Sequence, residues 1–408
     1  MKILFVTHYF LPEVGAPQTR ISDLAGHWSR IGSQVTILTG MPNHPTGIIP
    51  DDYRNVARRI ERSDEYKVVR TWLYATPNQG FARRTLGHLS FMLSSVVLGN
   101  RSVGSADVVV VSSPTFFSIG SAWVLAKLKR AKFVIEIRDL WPAVFVDLGV
   151  LTFRPLISLL KHLELAAYRA ADGIVVVTHS FADNIEARGI PREKITVIAN
   201  GAETDVFSPP TVSPAKRSQL GAKPDETIIT YMGAHGISQG LQVVVEAAKI
   251  LKEHPFHFAF IGEGADKERI SEMATKLGLT NVSMLASVPR NQVPGIIAAS
   301  DICLVPLRDL PLFSTFIPSK MFEFLAMEKA VIGGLRGEAA DILTEAGGCV
   351  VEPENPHQLA EAILRLALDP QLRESMGKKG GAFVRGNFNR RELAERYHRL
   401  LQSLVFAS

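Results

Sequence analysis

The feature that most constrains the fold is an alternation of short apolar runs and longer amphipathic stretches, which occurs twice along the 408 residues. The continuous apolar character of several runs is typical of parallel strands that are buried on both faces. In the first half the predicted strands are 2–6, 34–39, 67–72, 107–112, 132–137, 173–178 and 195–200. Helical patterns such as 19–31 and 155–170 lie between them, so the sequence predicts a doubly wound α/β sheet.

Residues 207–226 interrupt this alternation with four prolines and little periodicity. The alternation then restarts with predicted strands at 227–233, 257–262, 281–286, 301–307, 330–334 and 348–352, separated by helices such as 240–253 and 356–368. A chain of this length is too long for one ordinary core. The sequence therefore predicts a second, similar α/β half after a proline-rich hinge.

We expect an N-terminal Rossmann-like domain over 1–207 and a C-terminal one over 208–387. A final helix, within 388–408, is compatible with either domain by its pattern, and we expect it to pack back on the first. In this architecture a ligand cleft is expected between the carboxyl ends of the two sheets.

The net charge of +5 is unevenly distributed. Residues 1–208 hold 23 Lys and Arg against 18 Asp and Glu, and 54–132 hold 13 against 4. This asymmetry indicates a phosphate-bearing or membrane-surface partner for the first half, or simply a solvated basic face. Nucleic acid is not an expected partner.

Several sequence features bear on the compartment. The N-terminal stretch "MKILFVTHYFLPE" is predicted to be a strand and not a signal peptide. No apolar run is long enough for a membrane-spanning helix. Cys303 and Cys349 lie in apolar runs and suit buried thiols in a reducing compartment. Together these features predict a cytoplasmic protein.

Familiar cofactor and metal motifs are missing from the sequence. It contains no GxxxxGK[ST], HExxH or Asp-x-Asp, and the last of these commonly holds a divalent metal on a sugar-nucleotide diphosphate. The segment "GEGADK" (262–267) begins like a dinucleotide fingerprint but lacks its last glycine. We therefore predict neither a bound metal nor a nicotinamide cofactor.

In each half, the first strand is followed by a turn that contains small residues. Gly15 precedes a predicted helix whose free N–H groups suit an anion, although an ordinary loop explains it too. Arg20, in the first turn of that helix, faces either a phosphate or solvent. In the second half "YMGAHGISQGL" places Gly233 and Gly236 around His235, a good diphosphate site. His235 is expected at the cleft edge, as a ligand contact or a structural residue.

Two further segments carry charged residues in unusual places. Arg138 and Asp139 follow a central strand and are expected to face the cleft, or to form a structural ion pair. In "PSKMFEF" Ser319 is predicted as the N-cap of a helix. Glu323 suits the positive end of the helix dipole, whereas Lys320 does not unless an anion binds at the same helix end.

These motifs resemble the family 4 retaining glycosyltransferases, which have the GT-B fold of two facing Rossmann domains, over essentially the full length. The resemblance rests on "PEVGAPQTR", "VTHSFADNIEARGIPREKITVIANGAETDVFSP", "FAFIGEGADKERI" and "IPSKMFEFLAMEKAVI". The segments "AHGISQGL" and "PSKMFEFLAMEKAV" are most similar to the branch that includes L-fucosamine transferases of O-antigen, capsule or colanic acid synthesis.

The resemblance implies a UDP-sugar donor in the second domain. Glu323 matches the glutamate that holds the donor ribose, and Thr315 stands where the family has a second glutamate, so the resemblance leaves the sugar open. The family's Arg-Lys diphosphate clamp is absent, with Gln239 at one of its places, so we interpret Lys320 as its replacement. The other residues assigned to the donor are Gly15, Gly233, His235, Gly236, Gly262, Ser287, Val288 and Ser319.

The resemblance also implies retention of anomeric configuration through front-face attack, without a metal. Asp139, Arg138 and Lys320 are the predicted catalytic residues, and Asp139 would orient the acceptor. We expect the acceptor, an undecaprenyl-diphosphate-linked sugar, to meet the basic first half. The candidate contacts are His44, Arg20, Arg83 and Arg84. The stretch 78–99 is predicted either to rest on the anionic inner membrane surface or to be a buried helix.

Other readings remain compatible with the sequence. A GT-B epimerase or phosphorylase would use the same fold, and the epimerase would act on a nucleotide sugar without an acceptor. The missing second glutamate and the missing clamp also fit a non-catalytic sugar-nucleotide-binding protein of an envelope assembly complex.

Overall fold

The computed structural model describes residues 1–13, 15–44, 46–77, 81–113, 115–147, 149, 151–209 and 214–406. The chain separates into two compact units, one of Met1–Ala199 with the residues from Arg391 onward and one of Asn200–Arg390. The observed boundary follows Ala199, whereas the predicted boundary followed Phe207. The proline-rich stretch therefore does not mark the point at which the chain leaves the first unit.

The first unit is built on a mainly parallel sheet. Its strands are β1 (Lys2–Val6), β2 (Gln34–Gly40), β3 (Arg58–Arg62), β4 (Lys67–Thr71), β5 (Val108–Ser112), β6 (Lys132–Ile137), β7 (Gly173–Val176) and β8 (Ile195–Val197). Within the described residues these eight strands have the order β3-β4-β2-β1-β5-β6-β7-β8. All seven predicted strands are present, and the fully buried β5 illustrates why continuous apolar runs form the middle of such a sheet.

The strand β3 was not predicted. It pairs antiparallel with β4 at the edge of the sheet and contains a single apolar residue, Ile60. Charged residues on an edge strand prevent pairing with other chains, and they also remove the apolar pattern by which a strand is recognised.

Helices connect these strands. They are α1 (Ala16–Arg30), α2 (Phe81–Val97), α3 (Asn100–Val103), α4 (Phe116–Lys129), α5 (Ala143–Asp147), α6 (Arg154–Ala170) and α7 (His179–Ala187). Because α1 begins at Ala16, Arg20 lies beyond its first turn, contrary to the prediction. The backbone N–H of Phe181 donates to the Thr178 hydroxyl at 3.0 Å, which caps α7 at its N-terminus.

The second unit is built on a parallel sheet. Its strands are β9 (Thr227–Met232), β10 (Phe256–Ile261), β11 (Val282–Leu285), β12 (Ile302–Pro306), β13 (Ala330–Gly334) and β14 (Cys349–Val351). In the described part of this unit their order is β11-β10-β9-β12-β13-β14. The helices are α8 (Pro214–Gln219), α9 (Gln242–Ile250), α10 (Lys267–Lys276), α11 (Val293–Ala299), α12 (Ser319–Ala326), α13 (Glu338–Glu345), α14 (Pro356–Leu368) and α15 (Pro370–Asn387).

The last helix, α16 (Arg390–Phe406), returns to the first unit. Its buried residues Leu393, Tyr397 and Leu401 belong to the core that contains β1, and the indole of Trp28 donates to the Ala394 carbonyl at 3.0 Å. The helix therefore completes the core of the first unit.

Two sequence expectations can be compared with the structure directly. None of the helices in the described ranges is long and apolar enough to cross a membrane. Cys303 is a buried free thiol and Cys349 is a half-buried one, and burial raises the pKa of both thiols. The expectation of a buried thiol is confirmed for Cys303, whereas Cys349 is less buried than expected.

Candidate functional site

Lys320, a residue of α12, lies against the glycine turn that follows β9. The Lys320 ammonium donates to the Tyr231 hydroxyl at 2.8 Å and lies 4.0 Å from the centre of the Tyr231 ring. Its Nζ is 3.5 Å from Oε1 of Gln239. Gly233 has a φ of +139°, which favours glycine, and a Cβ there would lie 2.8 Å from Nζ, so a side chain at this position would displace the lysine. Lys320, Gly233 and Gln239 are thus neighbours, as the donor assignment requires.

The environment of Lys320 reduces its hold on a proton. Burial lowers the pKa of Lys320 to about 7, although the Glu323 carboxylate acts in the opposite direction. A phenol, a ring face and an amide oxygen surround the ammonium. These neutral groups support the charge less well than a carboxylate in contact would, so an incoming anion would stabilise the charged form.

Glu323 lies one helical turn after Lys320 on α12 and remains partly accessible, with 18% of its side chain exposed. Its Oε1 is 3.7 Å from Nη1 of Arg290, whose Nη2 is 2.9 Å from Oε2 of Glu203. Arg290 and Glu203 were not singled out from the sequence, because they are far apart in the chain. The carboxylate can accept hydrogen bonds from two neighbouring hydroxyls, such as those of a ribose.

Ser319 and Thr315 lie just before or at the start of α12. Ser319 is the first helical residue; Pro318 occupies the cap position and no side-chain cap bond forms, so the predicted N-cap is wrong. The Thr315 hydroxyl donates to the Leu312 carbonyl at 2.7 Å, within its own turn. Thr315, at the position of the missing family glutamate, therefore supplies a hydroxyl group and no carboxylate.

His235 does not lie at an open edge, contrary to the prediction. Its side chain is fully buried, and burial lowers its pKa to about 4. Cβ atoms at Gly262 and Gly264 would lie 1.9 Å and 2.3 Å from the carbonyl oxygens of Gly233 and His235. The loops after β9 and β10 therefore pack backbone against backbone around a neutral imidazole. The ring supports both loops from inside.

The other residues assigned to the donor occupy loop positions near these strands. Ser287 is exposed and Val288 is half-buried, and both follow the end of β11. A Cβ at Gly236 would make an ordinary contact, 3.7 Å from Oγ of Ser238. Gly15 belongs to the first unit, where a Cβ would lie 2.5 Å from Oε1 of Gln18.

In the first unit, Arg138 and Asp139 directly follow β6 and are both half-buried. Burial raises the pKa of Asp139 to about 6, although the Arg138 guanidinium acts in the opposite direction. A carboxyl group with this pKa can exchange a proton near neutral pH. Trp141 stacks on Phe116 with ring centres 4.3 Å apart and fixes the turn that follows.

Arg20 is buried and is not available to an acceptor, so that assignment is wrong. Its Nη2 lies 2.9 Å from Oε1 of Glu136, a buried residue of β6. The guanidinium also donates to the carbonyl oxygens of Ile198 and Ala199, each at 3.2 Å. Arg20 therefore ties α1 to β6 and to the chain after β8.

A cluster of aromatic rings that was not predicted surrounds a pocket in the first unit. The His8 ring lies 4.2 Å from that of His88 and 4.4 Å from that of Tyr9, and the Tyr9 ring lies 5.3 Å from that of His44. Arg83 also lines the pocket, whereas the side chain of Arg84 lies outside the described part of the structure.

The His44 loop is held by Glu13. The backbone N–H groups of Asn43 and His44 each donate to Oε1 of Glu13 at 2.8 Å, and that of Phe10 donates to Oε2 at 3.0 Å. Burial raises the pKa of Glu13, and these hydrogen bonds oppose the shift. His44, predicted to contact the acceptor, is thus exposed on a loop of fixed position.

The described residues contain no group of three or more His, Cys, Asp or Glu side chains that could hold a metal ion.

Comparison with known proteins identifies two glycosyltransferase domains. Residues 15–201 match a model described as "Glycosyl transferase 4-like domain", and residues 212–382 match "Glycosyl transferases group 1". The chain therefore combines a glycosyltransferase 4-like domain with a glycosyltransferase group 1 domain. A curated relative of this glycosyltransferase, the putative colanic acid biosynthesis glycosyl transferase WcaI of Escherichia coli K12, is 26% identical over 91% of the chain and 93% of the relative.

Solved structures agree with this glycosyltransferase fold. Sucrose-phosphate synthase from Thermosynechococcus elongatus has a TM-score of 0.79 at 20% identity, and each chain is fully covered. Anabaena Alr3699/HepE in complex with UDP and glucose has a TM-score of 0.74 at 15% identity, covering 99% of this chain and 100% of that one. The predicted GT-B class, with two parallel-sheet α/β domains, is confirmed.

Proposed function

We propose that this glycosyltransferase moves a sugar from a UDP-sugar to a lipid-diphosphate-linked saccharide, with retention of configuration, in the synthesis of a bacterial surface polysaccharide such as O-antigen or capsule. The resemblance to the branch that includes L-fucosamine transferases favours an N-acetylated amino sugar. The relative WcaI, a putative colanic acid biosynthesis glycosyl transferase, supports this pathway. The UDP complexes of HepE, a protein of the same fold, support the nucleotide.

The observation that carries the proposal is the position of Lys320 on the Gly233 turn. Parallel α/β sheets bind ligands at the carboxyl ends of their strands, and β9 ends at this turn. A diphosphate at the turn would place its charge against the ammonium, while Glu323, one helical turn away, would accept the ribose hydroxyls. The two side chains that α12 presents thus match the two polar parts of a nucleoside diphosphate.

The catalytic step would depend on charge that develops on the leaving group. As the bond to the transferred sugar breaks, UDP gains negative charge, and Lys320 would stabilise it without a metal. Front-face attack would let the leaving diphosphate accept the acceptor proton. Asp139 would orient the acceptor hydroxyl, and Arg138 would hold the Asp139 carboxylate in its charged form.

We propose that the protein is cytoplasmic and binds peripherally to the anionic inner membrane through α2. This helix exposes Leu86, Leu93 and Val97 and lies within the basic segment 54–132. Replacing all three residues with serine should abolish most co-sedimentation with anionic phosphatidylglycerol vesicles. The exposed Leu368 of the second unit supplies a matched control, L368S. Unchanged sedimentation of the triple variant would contradict the membrane assignment.

A donor screen tests the function. Purified protein is incubated with a panel of UDP- and GDP-sugars and a synthetic lipid-diphosphate saccharide, and nucleotide release and product are measured. We expect acceptor-dependent release of UDP from one UDP-sugar, with a product of the same anomeric configuration as the donor. Conversion of the sugar nucleotide without an acceptor would indicate an epimerase. Binding of a UDP-sugar without turnover would indicate a non-catalytic protein.

A further inference from the structure

Two adjoining cavities in the first unit form one continuous depression. The smaller, which we call the polar pocket, has a cavity volume of about 70 Å³ and is lined by His8, Tyr9, His44, Arg83 and His88, among others. The larger, which we call the apolar groove, has a cavity volume of about 520 Å³ and is lined by Ile48, Tyr53, Val56, Trp72 and Tyr74, among others. Gly47, Leu73, Tyr74 and Ala75 line both cavities.

The polar pocket is built to bind hydroxyl groups. His8 is 3% exposed, and Nδ1 of this residue has no hydrogen-bond partner within the described part of the chain. Burial, together with the neighbouring His88, keeps the pKa of His8 well below its usual value, so the ring is neutral. A buried polar atom without a partner costs free energy, which a ligand hydroxyl would recover. Arg83 is exposed at this pocket and supplies a cation suited to phosphate.

The apolar groove presents hydrocarbon to solvent. Ile48 is 50% exposed, Trp72 is 46% exposed, Tyr74 is 42% exposed and Val56 is 38% exposed. Arg54, which also lines the groove, forms an ion pair with Asp51 at 2.6 Å, so its charge is balanced locally. Contiguous exposed apolar side chains of this kind indicate a surface that a ligand or partner covers.

A close backbone contact fixes the junction of the two cavities. Gly47 has a φ of +75°, and a Cβ there would lie 1.8 Å from the Thr76 carbonyl oxygen. Only glycine allows the loop after β2 to touch the segment after β4 at this point. The polar and apolar parts therefore meet at a defined place.

We infer that this depression binds the acceptor as a single amphiphile, with its saccharide in the polar pocket, its diphosphate near Arg83 and its isoprenoid chain along the apolar groove. The inference rests on the proposed function and adds a site and a binding mode to it. Trp72 and Tyr74 could also stack on a sugar ring, but the aliphatic Ile48 and Val56 offer nothing to sugar hydroxyls. Their chemistry favours a hydrocarbon chain.

Binding measured without donor tests this assignment. Two synthetic acceptors share one saccharide diphosphate and differ only in the tail, which is methyl or farnesyl. By isothermal titration calorimetry we expect the farnesyl compound to bind wild-type protein at least about tenfold more tightly, because burial of its tail removes apolar surface from water. The variant I48S/W72S should lose this preference and bind both compounds like the methyl one.

Two further variants separate the contribution of the saccharide diphosphate to affinity from that of the tail. R83Q should weaken the binding of both compounds by a similar factor, because it removes a charge that contacts the shared diphosphate. L128S serves as the matched control: Leu128 is 58% exposed on α4 and lines neither cavity, so the tail preference should persist. Equal affinity of wild type for both tails, or an unchanged tail preference in I48S/W72S, would overturn the inference.

The outcome is distinguishable from failure of the proposed function. If the protein releases UDP from a UDP-sugar but shows no tail-dependent binding, the site assignment fails and the function stands. If tail-dependent binding and its loss in I48S/W72S are observed without any UDP release, the site stands and the proposed transfer fails.

Discussion

Arg20 in the first unit and Lys320 in the second are both helix cations near a glycine-containing turn. The groups that surround the two charges differ. The Arg20 guanidinium lies 2.9 Å from the buried Glu136 carboxylate, and backbone carbonyls accept its remaining hydrogen bonds. The Lys320 ammonium rests on the ring and hydroxyl of Tyr231. A cation that is neutralised inside the protein serves the fold, whereas one held by neutral groups can bind an anion.

Removing Arg20 should produce the largest effect, and on stability. R20M would leave Glu136 buried without its partner, which should lower the free energy of unfolding by about 3–5 kcal/mol. Urea unfolding followed by circular dichroism measures this. The double variant R20M/E136L should recover part of the loss, because it removes the unpaired charge. Wild-type stability of R20M would show that the ion pair is not structural.

Removing Lys320 should instead affect the donor. K320M should lower kcat/KM for the UDP-sugar by about 10²–10³-fold, because a charged group aimed at the leaving diphosphate is lost. Steady-state UDP release measures the change. K329M is the matched control: Lys329 is a half-buried lysine beyond the end of α12 that donates to the Ala298 carbonyl at 2.6 Å. Equal losses in both variants would mean that Lys320 has no specific role.

Glu323 should have an intermediate effect on donor binding. E323A should raise the Kd for UDP by about 10- to 100-fold, because the ribose hydroxyls lose a charged hydrogen-bond acceptor. Titration calorimetry with UDP measures this, and the melting temperature reports on the fold. E203Q removes the other carboxylate near Arg290 and should change UDP affinity less. UDP binding by E323A that equals wild type would refute the ribose assignment.

The pH dependence should be the smallest effect. Lys320, with a pKa lowered to about 7, is charged below that pH and neutral above it, so UDP affinity should fall by up to about tenfold per pH unit as the pH rises beyond about 7. Binding near pH 8 should then be accompanied by proton uptake. Calorimetry in buffers of different ionisation enthalpy detects it. Proton uptake that persists in K320M would assign it to another group.

Asp139 should give kcat a pH dependence opposite to the one that Lys320 gives UDP affinity. Its carboxyl group, with a pKa raised to about 6, is protonated at lower pH, so kcat should rise as the pH increases through about 6. The variant D139N should lose this rising limb while UDP affinity stays the same. A rising limb that survives in D139N would show that another group orients the acceptor.

The sequence was sufficient for the parallel sheets, because their strands are continuous apolar runs that only a doubly covered sheet can bury. It was also sufficient to single out Lys320 and Glu323, since both lie in one short segment in which the glutamate agrees with the helix dipole and the lysine conflicts with it. β3 escaped prediction because its sequence, "RRIER", has almost no apolar content.

What could not be predicted depends on residues that are distant in the chain. The burial of His235 is caused by the Gly262–Gly264 loop, which a glycine pattern around His235 does not reveal. Glu136, the partner of Arg20, is 116 positions away. His8 and His88 meet only because β1 lies inside the sheet and α2 packs on its neighbours. The signal that the sequence offered for this pocket was His8, a histidine that follows the first strand.

The return of α16 to the first unit has a consequence for how the chain can be rearranged. The second unit enters and leaves at one place: Ala202 pairs with Asn389, and the Arg390 guanidinium donates to the Gly201 carbonyl at 2.7 Å. In topological terms it is an inserted domain with adjoining ends, of the kind that tolerates excision and circular permutation. Residues 200–390 can therefore be isolated as one uninterrupted gene segment, whereas the first unit needs a new covalent joint between its two pieces.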